Sequence, residues 1–251
     1  MIPWIYPRII VHRCGGALAP ENTLAGLGIA ARLGCAAAEF DAMLSADGVP
    51  VLVHDETLGR TTACEGRVDG LVAAELLTLD AGRKHHAAYA GERLPSLEAA
   101  LERCAALGLA ANVEIKPALG ADSATGEAVA RVVDRILARR SGLSVLLSSF
   151  SASALAAARR ATPRVARALL VGAIPGDWRD RVRKCDGFAL HASAAELAAD
   201  QVSEVRQSGL PLACYTVNDS ARARELFALG VVAVFTDRPD LFPINTADRA
   251  P

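Results

Sequence analysis

Three carboxylates and two histidines carry most of the chemistry this sequence offers. Glu39 and Asp41 stand two residues apart in one apolar run, and Glu114 and Lys116 stand two apart in another. In an extended strand, side chains at i and i+2 share a face, so each pair points the same way. Three carboxylates brought together from two strands make an all-oxygen, net-negative site. Such a donor set suits one hard divalent cation, Mg²⁺ or Ca²⁺, rather than zinc. The competing reading from spacing alone is that these carboxylates form surface ion pairs or cap turns. His12, next to Arg13, and His54, next to Asp55, are the candidate acid–base pair, because imidazole gains and loses a proton near neutral pH. A lone histidine after a strand is more often structural. Arg13 and Lys116 suit a phosphate, Arg by its planar fork and Lys as a point charge. Salt bridges to the neighbouring carboxylates are their alternative.

Those residues need a scaffold that gathers positions 12, 39–41, 54 and 114–116. Short β-rich runs at 8–12, 37–41, 111–115, 145–148, 167–170, 187–191, 212–216 and 231–236 alternate with Ala/Leu-rich runs. Helices are predicted over 20–33, 96–107, 126–140, 151–160 and 178–183, then through 207, and over 220–229. Gly34 and Gly108 stand as stops and Ser96 as a cap. Eight strands each trailed by a helix predict an α/β fold, a TIM (β/α)₈ barrel with a small insertion after strand 2, at about 43–94. An open doubly wound sheet is the runner-up, but no G-x-G-x-x-G follows the first strand. No Pro/Gly/Ser-rich linker divides the chain, so 1–251 is expected to be a single domain. Barrel enzymes place their chemistry at the C-terminal strand ends. Here those ends carry His12-Arg13, Glu39-Phe40-Asp41, Glu114-Ile115-Lys116, Ser148-Ser149, His191, Tyr215-Thr216 and Thr236-Asp237, with Asn218 just beyond the seventh.

Bulk properties narrow the partners. The 251 residues are 52% hydrophobic, enough for a large core, and 27 basic against 28 acidic residues give a net charge of −1. That balance attracts neither nucleic acid nor an anionic membrane in general, so anion recognition must be local. The first residues, interrupted by Pro3, do not read as a secretory leader, and no apolar run is long enough to span a bilayer. The six scattered cysteines form no C-x-x-C and are expected to be reduced, in a cytoplasmic protein without stable membrane association.

The same motifs, in the same order, resemble the glycerophosphodiester phosphodiesterase family. His12-Arg13 followed by Pro20-Glu21-Asn22-Thr23 is similar to that family's opening signature. Glu39-Phe40-Asp41, Asp47-Gly48-Val49-Pro50-Val51, His54-Asp55 and Leu58-Gly59-Arg60-Thr61-Thr62 continue it. Asn112-Val113-Glu114-Ile115-Lys116-Pro117, Leu147-Ser148-Ser149-Phe150, Tyr215-Thr216-Val217-Asn218 and Thr236-Asp237-Arg238-Pro239-Asp240 match its later landmarks. The likeness covers nearly the whole chain and is nearest to short cytoplasmic bacterial members. It implies Glu39, Asp41 and Glu114 as metal ligands, His12 and His54 as catalytic acid and base, and Arg13 and Lys116 at the phosphate. Glu21 would help orient His12 or a metal-bound water. The small-molecule substrate would be a glycerophosphodiester, cleaved to glycerol 3-phosphate and an alcohol.

Two departures stand out. Cys14 replaces a glycine usual after the His-Arg pair, where a positive φ or a close backbone approach would be served by Gly; it also places a thiol near the expected phosphate site. Tyr215 stands where many relatives carry Trp, and would wall the glycerol or head-group pocket. His191 ends strand six, where lining the pocket is the less favoured of its two readings; His85-His86 are expected in a solvated loop, and Trp4 and Trp178 in packing. Phospholipase D-like action on lysophospholipids or sphingomyelin is a same-fold rival, a metal-dependent lyase or aldolase a more distant one, and a non-catalytic binding protein a third.

Overall fold

The computed structural model describes residues 4–242. The expected absence of a leader and the outer bounds of the 1–251 domain fall partly outside those residues. Eight parallel strands form the barrel: β1 (Ile9–Val11), β2 (Ala37–Leu44), β4 (Ala110–Ile115), β5 (Val145–Ser149), β6 (Ala166–Val171), β7 (Ala189–Ser193), β8 (Leu212–Tyr215) and β9 (Ala233–Thr236). β1 pairs with β2 through Val11↔Ala38 and with β9 through Ile10↔Phe235, which closes the sheet on itself. β3 (Pro50–Leu52) lies outside the ring, antiparallel on the far end of β2 with Leu44 opposite Pro50.

Helices α1 (Leu24–Arg32), α3 (Leu97–Leu107), α4 (Asp122–Arg139), α5 (Ala152–Ala161), α6 (Trp178–Lys184), α7 (Ala199–Gln207) and α8 (Ser220–Leu229) cover the barrel, while the short α2 (Ala73–Leu76) belongs to the excursion after β2. Local chemistry sets their ends. Thr23 accepts a hydrogen bond from the Gly26 amide and Ser96 from the Ala99 amide, satisfying donors a helix start leaves free. Gly108 closes α3 at φ +68°, a left-handed position where glycine has no Cβ penalty. Two expectations need correction. α4 begins at Asp122, a turn before the expected Gly126. Gly126 is a packing residue instead, since a Cβ there would sit 2.1 Å from the Ala154 carbonyl oxygen and push α5 away. The last strand is followed by a 3₁₀ turn, Pro239–Leu241, and not by a helix among the described residues.

The outer faces of the strands meet the helices in a continuous core that includes Phe40, Val113, Leu147, Leu101 and Leu155. Inside the ring, Ile10, Ala37, Ala213, Ala233 and Phe235 pack with Trp4, and Leu146, Ala168 and Ala189 with Tyr6. The Tyr6 hydroxyl donates to the Val145 carbonyl at the start of β5 (2.9 Å), and Trp4 stacks on Phe188 at 6.0 Å. Trp4 and Tyr6 thus plug the N-terminal mouth of the barrel, and the polar side chains are left to the opposite end. Trp178 is buried in the outer core. The excursion has its own apolar cluster, including Met43, Val51, Leu58, Leu76 and Leu94.

Candidate active site

Register alone brings the acids together. Asp41 of β2 lies beside Glu114 of β4, and Glu39 beside Asn112. Glu39, Asp41 and Glu114 each offer an oxygen, all within 4.8 Å of one another. Glu39 and Asp41 are buried, and Lys116 offers partial compensation, its Nζ 3.6 Å from Asp41 and 3.5 Å from Glu114. Burial and then the neighbouring Asp41 and Glu114 charges hold the Glu39 carboxyl well above its ordinary range. Burial and Asp41 likewise raise Glu114 to about 7. Glu39 Oε2 accepts the Arg13 amide (2.9 Å), but its Oε1 is buried without a partner. An orphaned buried oxygen is costly, and a hard cation bound by the three carboxylates would satisfy it. The donor set therefore fits a divalent metal.

Both histidines are oriented by carboxylates. His12 leaves the end of β1 with Nδ1 2.7 Å from Asp237 Oδ1, at the end of β9. A carboxylate only accepts, so Nδ1 carries the proton and Nε2 presents its lone pair to the cavity. Asp237 is fixed in turn: Asn218 Nδ2 donates to its Oδ2 (3.2 Å), and Asn218 Oδ1 accepts its amide (2.8 Å). Burial alone would raise the Asp237 carboxyl, but the bonds from His12 and Asn218 outweigh it and hold it low. His54 stands on the excursion, just past β3, with Nδ1 2.6 Å from Asp55 Oδ1. Burial lowers its pKa against the opposing pull of Asp41 and Asp55.

A chain of ion pairs ties the excursion to the barrel. Arg60 bonds Asp55 and both oxygens of Glu21, at 2.5 and 2.8 Å, and Glu21 accepts from Arg13 at 3.1 Å. Arg60 holds the Asp55 carboxyl down at about 2. Glu21 is committed to these two arginines; no bond joins it to His12. Arg13 keeps Nε buried without a hydrogen bond, 3.9 Å from Asp41.

His12, Arg13, Glu39, His54, Glu114 and Lys116 line one cavity of 280 Å³ at the C-terminal end of the barrel, together with Tyr215, Phe150 and His191. Tyr215 donates its hydroxyl to the Val171 carbonyl (2.6 Å) and meets Phe150 edge-on at 6.2 Å. His191 lies at the floor, fully buried, neutral because burial lowers its pKa to about 3. His85 and His86 are exposed, far along the excursion. Cys14 does adopt φ +72°, but its side chain is fully buried against α1, where a Cβ on Gly26 would come within 2.9 Å of Cys14 Cβ. It does not line the cavity, and burial pushes its thiol far up. The thiol expected beside the phosphate site is thus an inert packing group.

The sequence profile of the Glycerophosphoryl diester phosphodiesterase family matches residues 12–241. The chain belongs to that family. A phosphodiesterase of Oleispira antarctica, solved in complex with the product sn-glycerol-3-phosphate, is similar at 36% identity and a TM-score of 0.88, over 94% of this chain and 95% of that one. The glycerophosphodiester phosphodiesterase of Agrobacterium tumefaciens superposes with a TM-score of 0.76 at 28% identity, over 94% and 98% of the two chains. That of Caldanaerobacter subterraneus is 29% identical, over 92% of this chain and 94% of its own. Glu39, Glu114, Arg13, Lys116, His12 and His54 here surround one space.

Four residues were not singled out for roles from sequence. Asp237 and Asn218 were visible as polar strand ends and within matched motifs, with no partner assigned. Arg60 lay inside a matched motif with no partner assigned. Asn22, at φ +55°, donates to Asp41 Oδ2 (2.9 Å) and accepts the Asp41 amide (3.0 Å), locking the carboxylate in place. Asn tolerates left-handed backbone better than most residues, and an Asn just ahead of a helix cap was the available signal. Among the described residues, no helix is long and apolar enough to cross a membrane.

Proposed function

We propose that this chain hydrolyses glycerophosphodiesters to sn-glycerol 3-phosphate and an alcohol, in a reaction that depends on one divalent cation, Mg²⁺ or Ca²⁺. One observation carries the reading: two histidines, each with Nδ1 on a carboxylate, face the same cavity as a buried carboxylate triad with an unpartnered oxygen. Membership of the family and the product-bound relative support the substrate class.

Glu39, Asp41 and Glu114 hold the ion, which when bound neutralises phosphate charge and polarises phosphorus. Arg13 and Lys116 take up the remaining negative charge and fix the diester. His12, its tautomer set by Asp237, accepts the proton of the attacking oxygen at Nε2. His54 delivers a proton to the departing alcohol. Burial lowers its pKa, so it takes up a proton from solvent as the anionic substrate, whose charge opposes that shift, binds. Glu21 works through Arg13 and Arg60, holding the phosphate cation and the Asp55–His54 pair in one frame. Tyr215 walls the pocket. Residues 1–251 act as one barrel domain, with the 43–94 insertion contributing His54. Six free cysteines, five of them buried, accord with a reducing, cytoplasmic setting.

The test is release of glycerol 3-phosphate from glycerophosphocholine, with Mg²⁺ or Ca²⁺ and with a chelator. Cation-dependent release is expected. Folded protein that releases none from any glycerophosphodiester with either ion refutes the proposal. Leu119, 98% exposed after β4, and Phe150, 55% exposed after β5, favour a second reading, action on lysophospholipids. Faster cleavage of lysophosphatidylcholine than of glycerophosphocholine would establish it.

A further inference from the structure

The floor of the cavity holds polar atoms that the proposed chemistry leaves unused. His191 of β7 is fully buried, and neither ring nitrogen has a hydrogen-bond partner. Asn112 of β4, also buried, donates from Nδ2 to the Ser148 hydroxyl at 2.8 Å, but its Oδ1 is unpartnered. All three line the cavity. In the sheet, Asn112 stands beside Glu39, one inward-facing row below Asp41 and Glu114. His191 packs on Phe235, ring centroids 5.0 Å apart, and reaches towards the Trp4 plug at 6.4 Å. These atoms therefore sit deeper in the barrel than the phosphate cations.

Buried polar atoms without partners are rare in folded proteins and call for an occupant. A neutral imidazole offers one N–H donor and one acceptor, and the Asn112 oxygen offers an acceptor. Together they match an alcohol hydroxyl, which donates one hydrogen bond and accepts others. A carboxylate or phosphate would meet the Asn112 oxygen acceptor to acceptor, with the buried Glu39 alongside, and is disfavoured. Phe235 and Leu170, which line the same cavity, are apolar.

We propose that His191 and Asn112, steadied by Ser148, form a hydroxyl-reading subsite that binds the terminal hydroxyl of the substrate's glycerol moiety. This rests on the phosphodiesterase reading above: with phosphate at Arg13 and Lys116, the far end of the three-carbon polyol points down the barrel. The subsite makes polyol phosphodiesters preferred over diesters of simple alkanols. It sets specificity on the glycerol side, while the opposite, solvent-facing side is left to the variable alcohol.

The experiment is calorimetric binding, with Mg²⁺ present, of glycerol 3-phosphate and of its analogue lacking the terminal hydroxyl, propane-1,2-diol 1-phosphate. The unmodified protein should bind the first about 10- to 100-fold more tightly, the range expected for one buried hydrogen-bonded hydroxyl. His191→Leu should narrow that ratio to about threefold or less, Asn112→Ala should narrow it in part, and His191→Gln, which keeps a donor and an acceptor, should retain most of it. A ratio near one in the unmodified protein overturns the proposal, as does a ratio in folded His191→Leu that matches the unmodified protein. If His191→Leu does not fold, Asn112→Ala and His191→Gln decide the matter by the same ratio. Binding is read without turnover. Discrimination with no hydrolysis of any diester would sink the catalytic reading and keep the subsite; hydrolysis without discrimination would do the reverse.

Discussion

Replacing Asp237 by Asn tests the claim that a carboxylate sets the state of His12. The side chain keeps its shape, so the effect must come from which atoms donate. Asn218 Nδ2 already donates to the outer oxygen of Asp237, and Asn218 Oδ1 is occupied by the Asp237 amide and the Thr236 hydroxyl. An amide at 237 must then turn its oxygen to Asn218 and its NH₂ to His12 Nδ1. That forces the proton onto Nε2, the atom proposed to accept one. The imidazole keeps a hydrogen-bonded neighbour at position 237 but holds the wrong tautomer. In the serine protease triad the equivalent exchange costs about 10⁴ in kcat. Here a loss of about 10³- to 10⁴-fold is expected, about 4–5.5 kcal/mol of barrier. Asp237→Ala imposes no wrong tautomer and should lose no more than Asp237→Asn. The assay is initial-rate release of glycerol 3-phosphate from glycerophosphocholine at saturating Mg²⁺, with thermal unfolding as the control. Folded Asp237→Asn within threefold of the unmodified rate would refute the reasoning.

Three further outcomes follow from the same geometry. His12→Ala and His54→Ala should each lower turnover about 10²- to 10⁴-fold in folded protein; near-normal turnover in either removes that residue from the mechanism. Glu114, raised to about 7, binds its proton more tightly folded than unfolded, so in metal-free protein its contribution to stability falls as pH rises from its ordinary 4.5 through about 7. A cation needs the ionised form, so the rise in Tm produced by Mg²⁺ or Ca²⁺ should be larger at pH 8 than at pH 5.5; an equal or larger rise at pH 5.5 contradicts the triad as its site. Iodoacetamide should label Cys64, which is partly exposed, and leave Cys14 unmodified until the protein unfolds; mass-spectrometric labelling of Cys14 in native protein would disprove its burial.

The barrel was legible because each strand is a short apolar run between helices whose caps and stops are local. The carboxylate triad was legible for the same reason: a two-residue spacing on a strand fixes a shared face. What stayed hidden depends on contacts between distant segments. Nothing local pairs Asp237 with His12, 225 residues away, or Arg60 with Glu21. Gly126 looked like a helix start because the helix that crowds it, α5, lies further along the chain. Cys14 looked like a thiol beside the phosphate site because sequence does not tell which side of a tight turn a side chain takes. The unpartnered atoms of His191 and Asn112 emerged only once the ring had closed around them.

The seam between β1 and β9 has a temporal consequence. The acid that sets His12 is made after the three metal-binding acids and both histidines, just past the strand that shuts the ring against the first. While a ribosome is still extending the chain, His12 has been synthesised, yet its partner has not. A nascent or prematurely released chain lacking β9 can carry the three metal-binding acids and both histidines and still be silent. Hydrolytic competence thus reports that synthesis has passed β9 and that β9 has met β1.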